Sequence, residues 1–463
     1  MAVIVPSRKG YAVNPLKSSA PLGAALAYLG IEGAVPLLHG SQGCTSFALV
    51  LSVRHFKEAI PLQTTAMDEV ATILGGTDNL EEALVNLKTR MKPKFIGIAS
   101  TALVETRGED FEGDLKTILR RRSELDGTKV VFASTPDFHG ALEDGWAKAV
   151  TAIIAALVEP RSPGADAFRQ VNLLPGIHQT PADIEALRQL IESFDLHPVI
   201  LPDLSGSLDG HVPDRYVSTS FGGTPLEAIA PMGRALHTIA IGEHMRAPAL
   251  ALRDKTGVPA TLFPTLTGLE PCDRLVTLLS RLAGKPAPQA LRRQRSQLVD
   301  SMLDSHFHFS GKRMAIAADP DLLYCLSMAV SGMGAEVVAA ISSTANSPLL
   351  DRIPAERVIV GDLADFEDEA RAAGAELLIT HSHGRQAAAR LGVPLMRAGF
   401  PIFDRLGAQH RLTVGYVGTR NLLYEIANIV QGEIHEPRPG DFSPSPRIIV
   451  EESGHVCETA SAC

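Results

Sequence analysis

The chain has 463 residues, 45% hydrophobic and 21% charged, enough apolar material for about three folded domains. Its formal net charge of −9 argues against a nucleic-acid binder or a protein of anionic membrane surfaces, since both need a basic face. With no apolar run of about 18 residues, no charged-then-apolar leader and only five cysteines without a C-x-x-C pair, no membrane span, signal peptide or disulfide framework is expected, and a reducing cytoplasm fits.

Residues 1–165 read as a first α/β unit. Helical patterning covers Pro21–Leu29, Thr45–Phe56, Asn79–Met91 and Trp146–Leu157. Buried strands are expected at Val35–Leu38, Phe95–Ala99 and Val130–Ala133. Arg161 to Gly164 reads as a linker. Residues 166–300 repeat the pattern, with strands at Val171–Leu174 and Val199–Leu201. Thr180-Pro181-Ala182-Asp183 provides an N-cap, a proline in the first turn and an acidic residue. Thr224 and Glu227, after Gly222-Gly223, mark another such start and are spaced for a capping box. A helix over 287–305 leads into the third unit, 301–440.

That unit opens with the strand Arg313–Ala318 and a helix capped by Asp319-Pro320. Strands at Glu336–Ile341, Val358–Val360 and Leu377–Thr380 follow, and a helix over Asn421–Val430 closes it. Buried strands alternating with helices predict an α/β protein of three Rossmann-like domains, each a parallel sheet flanked by helices. The proline-rich segment 441–463 has no core pattern and reads as a mobile tail.

Chemistry concentrates at residues 34–47. Val35–Leu38 leads into the turn His39-Gly40-Ser41-Gln42-Gly43, and Cys44 stands where a helix is expected to start. A helix N-terminus presents unpaired N–H groups and the positive end of the dipole, which favour a thiolate. That placement suits a nucleophile or a metal ligand; a buried structural cysteine is the other reading. His39 reads as support for this loop. Cys272 and Cys325 read as cap or core residues, and Cys457 and Cys463 as tail thiols. His381 and His383 follow a strand at a sheet edge where open α/β folds bind ligands. They read first as a polar loop, with transient binding of a metal or acidic ligand as the alternative. His306 and His308 end a helix and read as structural or interfacial. There is no G-x-x-x-x-G-K-[ST], so no P-loop ATP hydrolysis is expected. Ser331-Gly332-Met333-Gly334 reads as a helix C-cap turn rather than half a dinucleotide fingerprint.

Two stretches near the start, Asn14-Pro15-Leu16-Lys17-Ser18-Ser19-Ala20-Pro21-Leu22-Gly23-Ala24 and His39-Gly40-Ser41-Gln42-Gly43-Cys44, resemble the nitrogenase component 1 superfamily on its β-subunit side. Val393 to Arg405 and Gly415-Tyr416-Val417-Gly418 resemble the end of such a subunit, so the likeness runs from about Asn14 to Gln431. In β-subunits the motifs carry P-cluster ligands: a cysteine where this chain has Ser19, one aligned with Cys44, one where it has Ala102, and a serine near Asp137. Only Cys44 is kept.

Within the superfamily, the resemblance points to the β-like subunit of a scaffold that matures the iron–molybdenum cofactor. It implies an α2β2 heterotetramer with a NifE-type α-like partner and a [4Fe-4S] cluster at their interface, three thiolates coming from the partner and one from Cys44. It further implies a cofactor precursor carried by the complex, a NifB-type donor, the nitrogenase iron protein, and apo-nitrogenase as acceptor. The alternatives are a β-type subunit of a nitrogenase-like or protochlorophyllide reductase, and a Rossmann-type nucleotide-sugar transferase. The transferase leaves the Cys44 loop unexplained.

Overall fold

The computed structural model describes residues 1–7, 9–108, 110–161 and 169–432. The expected linker beyond Arg161, the segment 441–463 and with it Cys457 and Cys463 lie outside the described residues. Among the described residues, no helix is long and apolar enough to cross a membrane.

The strands, in chain order, are β1 (Val3–Pro6), β2 (Ala34–His39), β3 (Gln63–Thr64), β4 (Phe95–Ser100), β5 (Lys129–Ala133), β6 (Gln170–Leu174) and β7 (His197–Ile200). They continue with β8 (His237–Ile241), β9 (Ala260–Phe263), β10 (Arg313–Ala318), β11 (Glu336–Ser342), β12 (Arg357–Val360), β13 (Leu377–Thr380) and β14 (Leu395–Arg397). They form three sheets, ordered β3-β2-β4-β5, β7-β6-β8-β9 and β1-β12-β11-β10-β13-β14. Every pairing is parallel. The expected α/β class with helix-flanked parallel sheets is what forms. The central strands β2, β4 and β6 are buried along their whole length, as sheets covered on both faces require.

Sequence-distant segments tie the sheets together. β1 does not join the sheet of the residues that follow it; Val3 pairs with Arg357 at the edge of the third sheet. The N-cap expected at Thr180 forms, and Asp183 completes it into a capping box, with Asp183 N–H donating to Thr180 Oγ1 at 3.0 Å and Thr180 N–H to Asp183 at 3.1 Å. The same carboxylate also accepts from the Thr413 and Val414 N–H groups at 2.6 and 3.2 Å.

The box expected at Thr224 and Glu227 does not form. The helix there is only Leu226–Ile229, and Thr224 Oγ1 donates to Ile200 O at 2.5 Å while its N–H donates to Gly30 O. A Cβ on Gly222 would lie 1.8 Å from Gly206 O, so the glycine pair serves close backbone approach, and tertiary contact outcompetes local capping.

Two helices, Ala20–Leu29 and Leu142–Leu157, cross in direct backbone contact. A Cβ on Gly23 would meet Leu142 O at 2.0 Å, and one on Gly145 would meet Ala20 O at 1.8 Å. All of Ala20–Leu29 is buried, and its Tyr28 hydroxyl reaches Ile98 O at 3.1 Å. This crossing fixes where the segments before both helices meet, with Lys17 Nζ donating to Asp137 O at 3.1 Å.

Candidate functional site

In a parallel α/β sheet the loops after the strands gather at the carboxyl edge, where ligands bind. At that edge of the first sheet, β2 leads to the helix Gln42–Phe56, β3 to the helix Glu69–Leu74, β4 to the short helix Ala102–Glu105, and β5 to the loop before Leu142–Leu157. Cys44, Ala102 and Asp137 therefore share one edge. Residues 17–19, leading into the helix Ala20–Leu29, join them through Lys17, whose Nζ donates to Asp137 O at 3.1 Å.

Cys44 is exposed, which removes the buried structural reading. The helix begins two residues earlier than its apolar pattern suggested, so the thiol lies in the first turn beside N–H groups that have no partner within the helix. The N-cap, Ser41, makes no side-chain cap; its Oγ lies 3.6 Å from Cys44 Sγ. Around this edge, Phe47 (77% exposed), Val50, Val70, Ile73 and Phe138 are all exposed.

The loop itself is rigidly held. His39 is fully buried, its Nδ1 lies 2.9 Å from Thr65 Oγ1, and that oxygen also accepts from Gly40 N–H at 3.1 Å. Its ring stands edge-on to Phe111 at 4.8 Å. Burial lowers its pKa to about 4, so it is a neutral support, as expected. Below the other loops, Ser100 Oγ accepts from Thr135 N–H at 2.8 Å. Glu105 accepts from Ser134 Oγ at 2.7 Å. Sequence reading missed Thr65, Glu105 and Ser134, because isolated polar residues carry no signal until the sheet edge assembles them.

Asp137 points inward. Burial raises its pKa, while the Ala102 N–H and the Lys17 charge pull the other way. Ser19 and Ala102 bring no thiol. The other described cysteines are buried: Cys272 Sγ donates to Leu266 O at 3.3 Å with its pKa pushed up to about 12 by burial, and Cys325 accepts from Thr265 at 3.2 Å. The donor set at this edge thus fits one corner of an iron–sulfur cluster, not a whole one. His381 and His383 form a polar loop: His381 is buried, with Leu16 O 3.2 Å from its Nε2 and His383 N–H donating to its Nδ1. His306, with Nδ1 2.7 Å from Leu303 O, closes a helix.

The model of the nitrogenase component 1 type oxidoreductases matches residues 19–431. The chain belongs to the nitrogenase component 1 family. Its likeness within that family is to proteins named nitrogenase iron-molybdenum cofactor biosynthesis protein NifN. The one from Mesorhizobium japonicum is 59% identical, covering 96% of each chain. Those from Bradyrhizobium diazoefficiens and Klebsiella pneumoniae are 53% and 40% identical, covering 100% and 94% of this chain and 99% and 94% of theirs. A solved nitrogenase component 1 structure, titled nitrogenase Cp1 at pH 6.5, superposes with a TM-score of 0.88 at 31% identity, covering 94% of this chain and 97% of that one. The component 1 fold thus accounts for all three sheets.

Proposed function

We propose that this chain is the β-like subunit of a scaffold on which the nitrogenase iron–molybdenum cofactor is matured. In this reading Cys44 gives one thiolate to a [4Fe-4S] cluster shared with a NifE-type α-like partner in an α2β2 heterotetramer. The observation that carries it is the one exposed thiol among the described residues, in the first turn of a helix behind a rigidly held loop, at a sheet edge rimmed by exposed apolar side chains. Large exposed apolar patches mark protein interfaces, and a cubane takes four thiolates, so the partner supplies three.

When bound, the cluster supplies iron–sulfur redox chemistry. The chain's own residues present the sulfur: His39 and Thr65 fix the loop, and Lys17 holds the Asp137 turn. The cofactor precursor is cargo of the complex, received from a NifB-type donor, completed with the help of the iron protein and passed to apo-nitrogenase. Ser19, Ala102 and Asp137, where a β-type reductase subunit has ligands, disfavour that role.

The test contrasts Cys44→Ala with Asp137→Ala in the co-expressed heteromer, by iron content and EPR. Cys44→Ala should keep the fold and make the cluster labile. Cys44→Ser should retain more iron with a shifted signal, and Asp137→Ala should match the parent. Signal lost only in Asp137→Ala would sink the ligand assignment, and unchanged spectra in both would make Cys44 structural.

A further inference from the structure

A second polar centre lies where elements of all three sheets converge. Glu143 comes from the helix Leu142–Leu157, His178 from the loop after β6, His244 from the turn after β8, and Asp321 from the helix Pro320–Gly332. One nitrogen or oxygen donor from each lies within 4.8 Å of the others. Both carboxylates are buried, Asp321 completely. Both ring nitrogens of His178 and Oδ1 of Asp321 are buried without a hydrogen-bond partner.

The surroundings are shaped around these groups. A Cβ on Gly176 would come within 2.6 Å of His244 Cε1, and one on Gly242, at φ +94°, within 2.7 Å of Asp321 Oδ2 and 2.9 Å of His178 Cε1. Glu143 has three acidic neighbours, Asp321, Asp319 and Asp144, and the imidazoles of His178 and His244 stand beside Asp321. A buried, mainly acidic pocket of this kind calls for a proton or a cation.

His244 is already engaged on both sides. Its Nε2 accepts from Ile177 N–H at 3.2 Å, so its Nδ1 carries the proton that it donates to Asp321 Oδ2 at 2.5 Å. That leaves Asp321 Oδ1 and the ring nitrogens of His178 without a partner, and the Glu143 carboxylate, which accepts only from Asp321 N–H at 3.1 and 3.3 Å, with lone pairs to spare. We propose that Glu143, His178 and Asp321 bind one divalent first-row transition-metal ion of the zinc or ferrous class, with His244 as the positioning residue that orients Asp321. Mixed imidazole and carboxylate donors suit such ions, and a histidine hydrogen-bonded to a ligating carboxylate is a common outer support. Three protein ligands leave a coordination position for water, and a cavity of about 90 Å³ lined by Glu143, His178, Thr180 and Asp319 provides the room. An open cleft of about 740 Å³ is bordered by Glu143 and His244 of the same group.

The test is calorimetric titration of the full chain with Zn²⁺, after chelation, with Cys44, Cys457 and Cys463 all changed to Ala so that these thiols do not compete. One equivalent should bind. His178→Gln, Glu143→Gln and Asp321→Asn should each weaken binding at least tenfold, and His244→Asn by roughly 10–100-fold. Absence of saturable binding to the folded chain would make the centre a hydrated polar pocket and overturn the proposal, as would folded variants that bind as tightly as the parent. Should the variants fail to fold, X-ray absorption of the zinc-loaded parent decides. A nitrogen and oxygen shell at about 2.0–2.1 Å with imidazole scattering supports the site, and a sulfur shell near 2.3 Å overturns it.

Discussion

Replacing Gly145 with Ala tests the helix crossing beneath the Cys44 edge. The new Cβ would lie 1.8 Å from Ala20 O, about 1.6 Å inside ordinary contact. The obstacle is backbone on a fully buried helix, not a side chain that can turn away. Overpacking a tight core costs about 1–3 kcal/mol, and rigid backbone on both sides places this change at the upper end, near 3 kcal/mol. Alanine's better helix propensity returns about 1 kcal/mol, leaving a net loss of about 2 kcal/mol. Gly23→Ala meets Leu142 O at 2.0 Å across the same crossing. One outward shift of either helix relieves both clashes, so the double variant should cost less than the sum by about 1–2 kcal/mol.

Trp146, the chain's only tryptophan, is the assay. It is fully buried next to Gly145, with Nε1 donating to Pro175 O at 3.0 Å, so urea unfolding of the chain followed by its fluorescence reads this interface. Gly332→Ala, where a Cβ meets nothing within 4 Å, is the control and should be neutral or slightly stabilising. A Gly145→Ala variant within about 0.5 kcal/mol of the parent, or strict additivity in the double, would refute the backbone-contact argument.

Two further outcomes are expected. His55, at the far end of the Cys44 helix, accepts from Ile402 N–H at 2.9 Å through Nδ1, and burial lowers its pKa to about 4. The unfolded chain therefore takes a proton there below about pH 6.5 that the folded chain refuses, so the stabilising contribution is lost on acidification; relative to His55→Gln, the parent should lose up to about 1.4 kcal/mol per pH unit between 6.5 and 4 in urea melts, and parallel pH curves would contradict this. Asp183→Ala strips the acceptor from the Thr180, Thr413 and Val414 N–H groups and should cost about 3–5 kcal/mol, whereas Asp183→Asn should cost much less; equal melting temperatures for the parent and Asp183→Ala would show that the tie between the second sheet's helix and residues 413–414 carries little.

The sequence by itself determined the class of the fold and the place of the exposed thiol. Uninterrupted apolar runs such as Val35–Leu38 and Phe95–Ala99 can be satisfied only in sheets covered on both sides, and the helical patterns between them require parallel crossovers. Gly-Ser-Gln-Gly before Cys44 marks a turn at a strand end, so the carboxyl-edge position of the sulfur followed from local chemistry. Tertiary structure alone decided the rest, because it depends on partners far away in the chain. Val3–Pro6 had no local sign of its place beside residues 357–360, and Thr224 gave up a local cap for Ile200 and Gly30. Glu143, His178, His244 and Asp321 span 179 positions, counted inclusively, and belong to four different elements. No periodicity links them, and only the convergence of the three sheets brings their donors within 4.8 Å of one another.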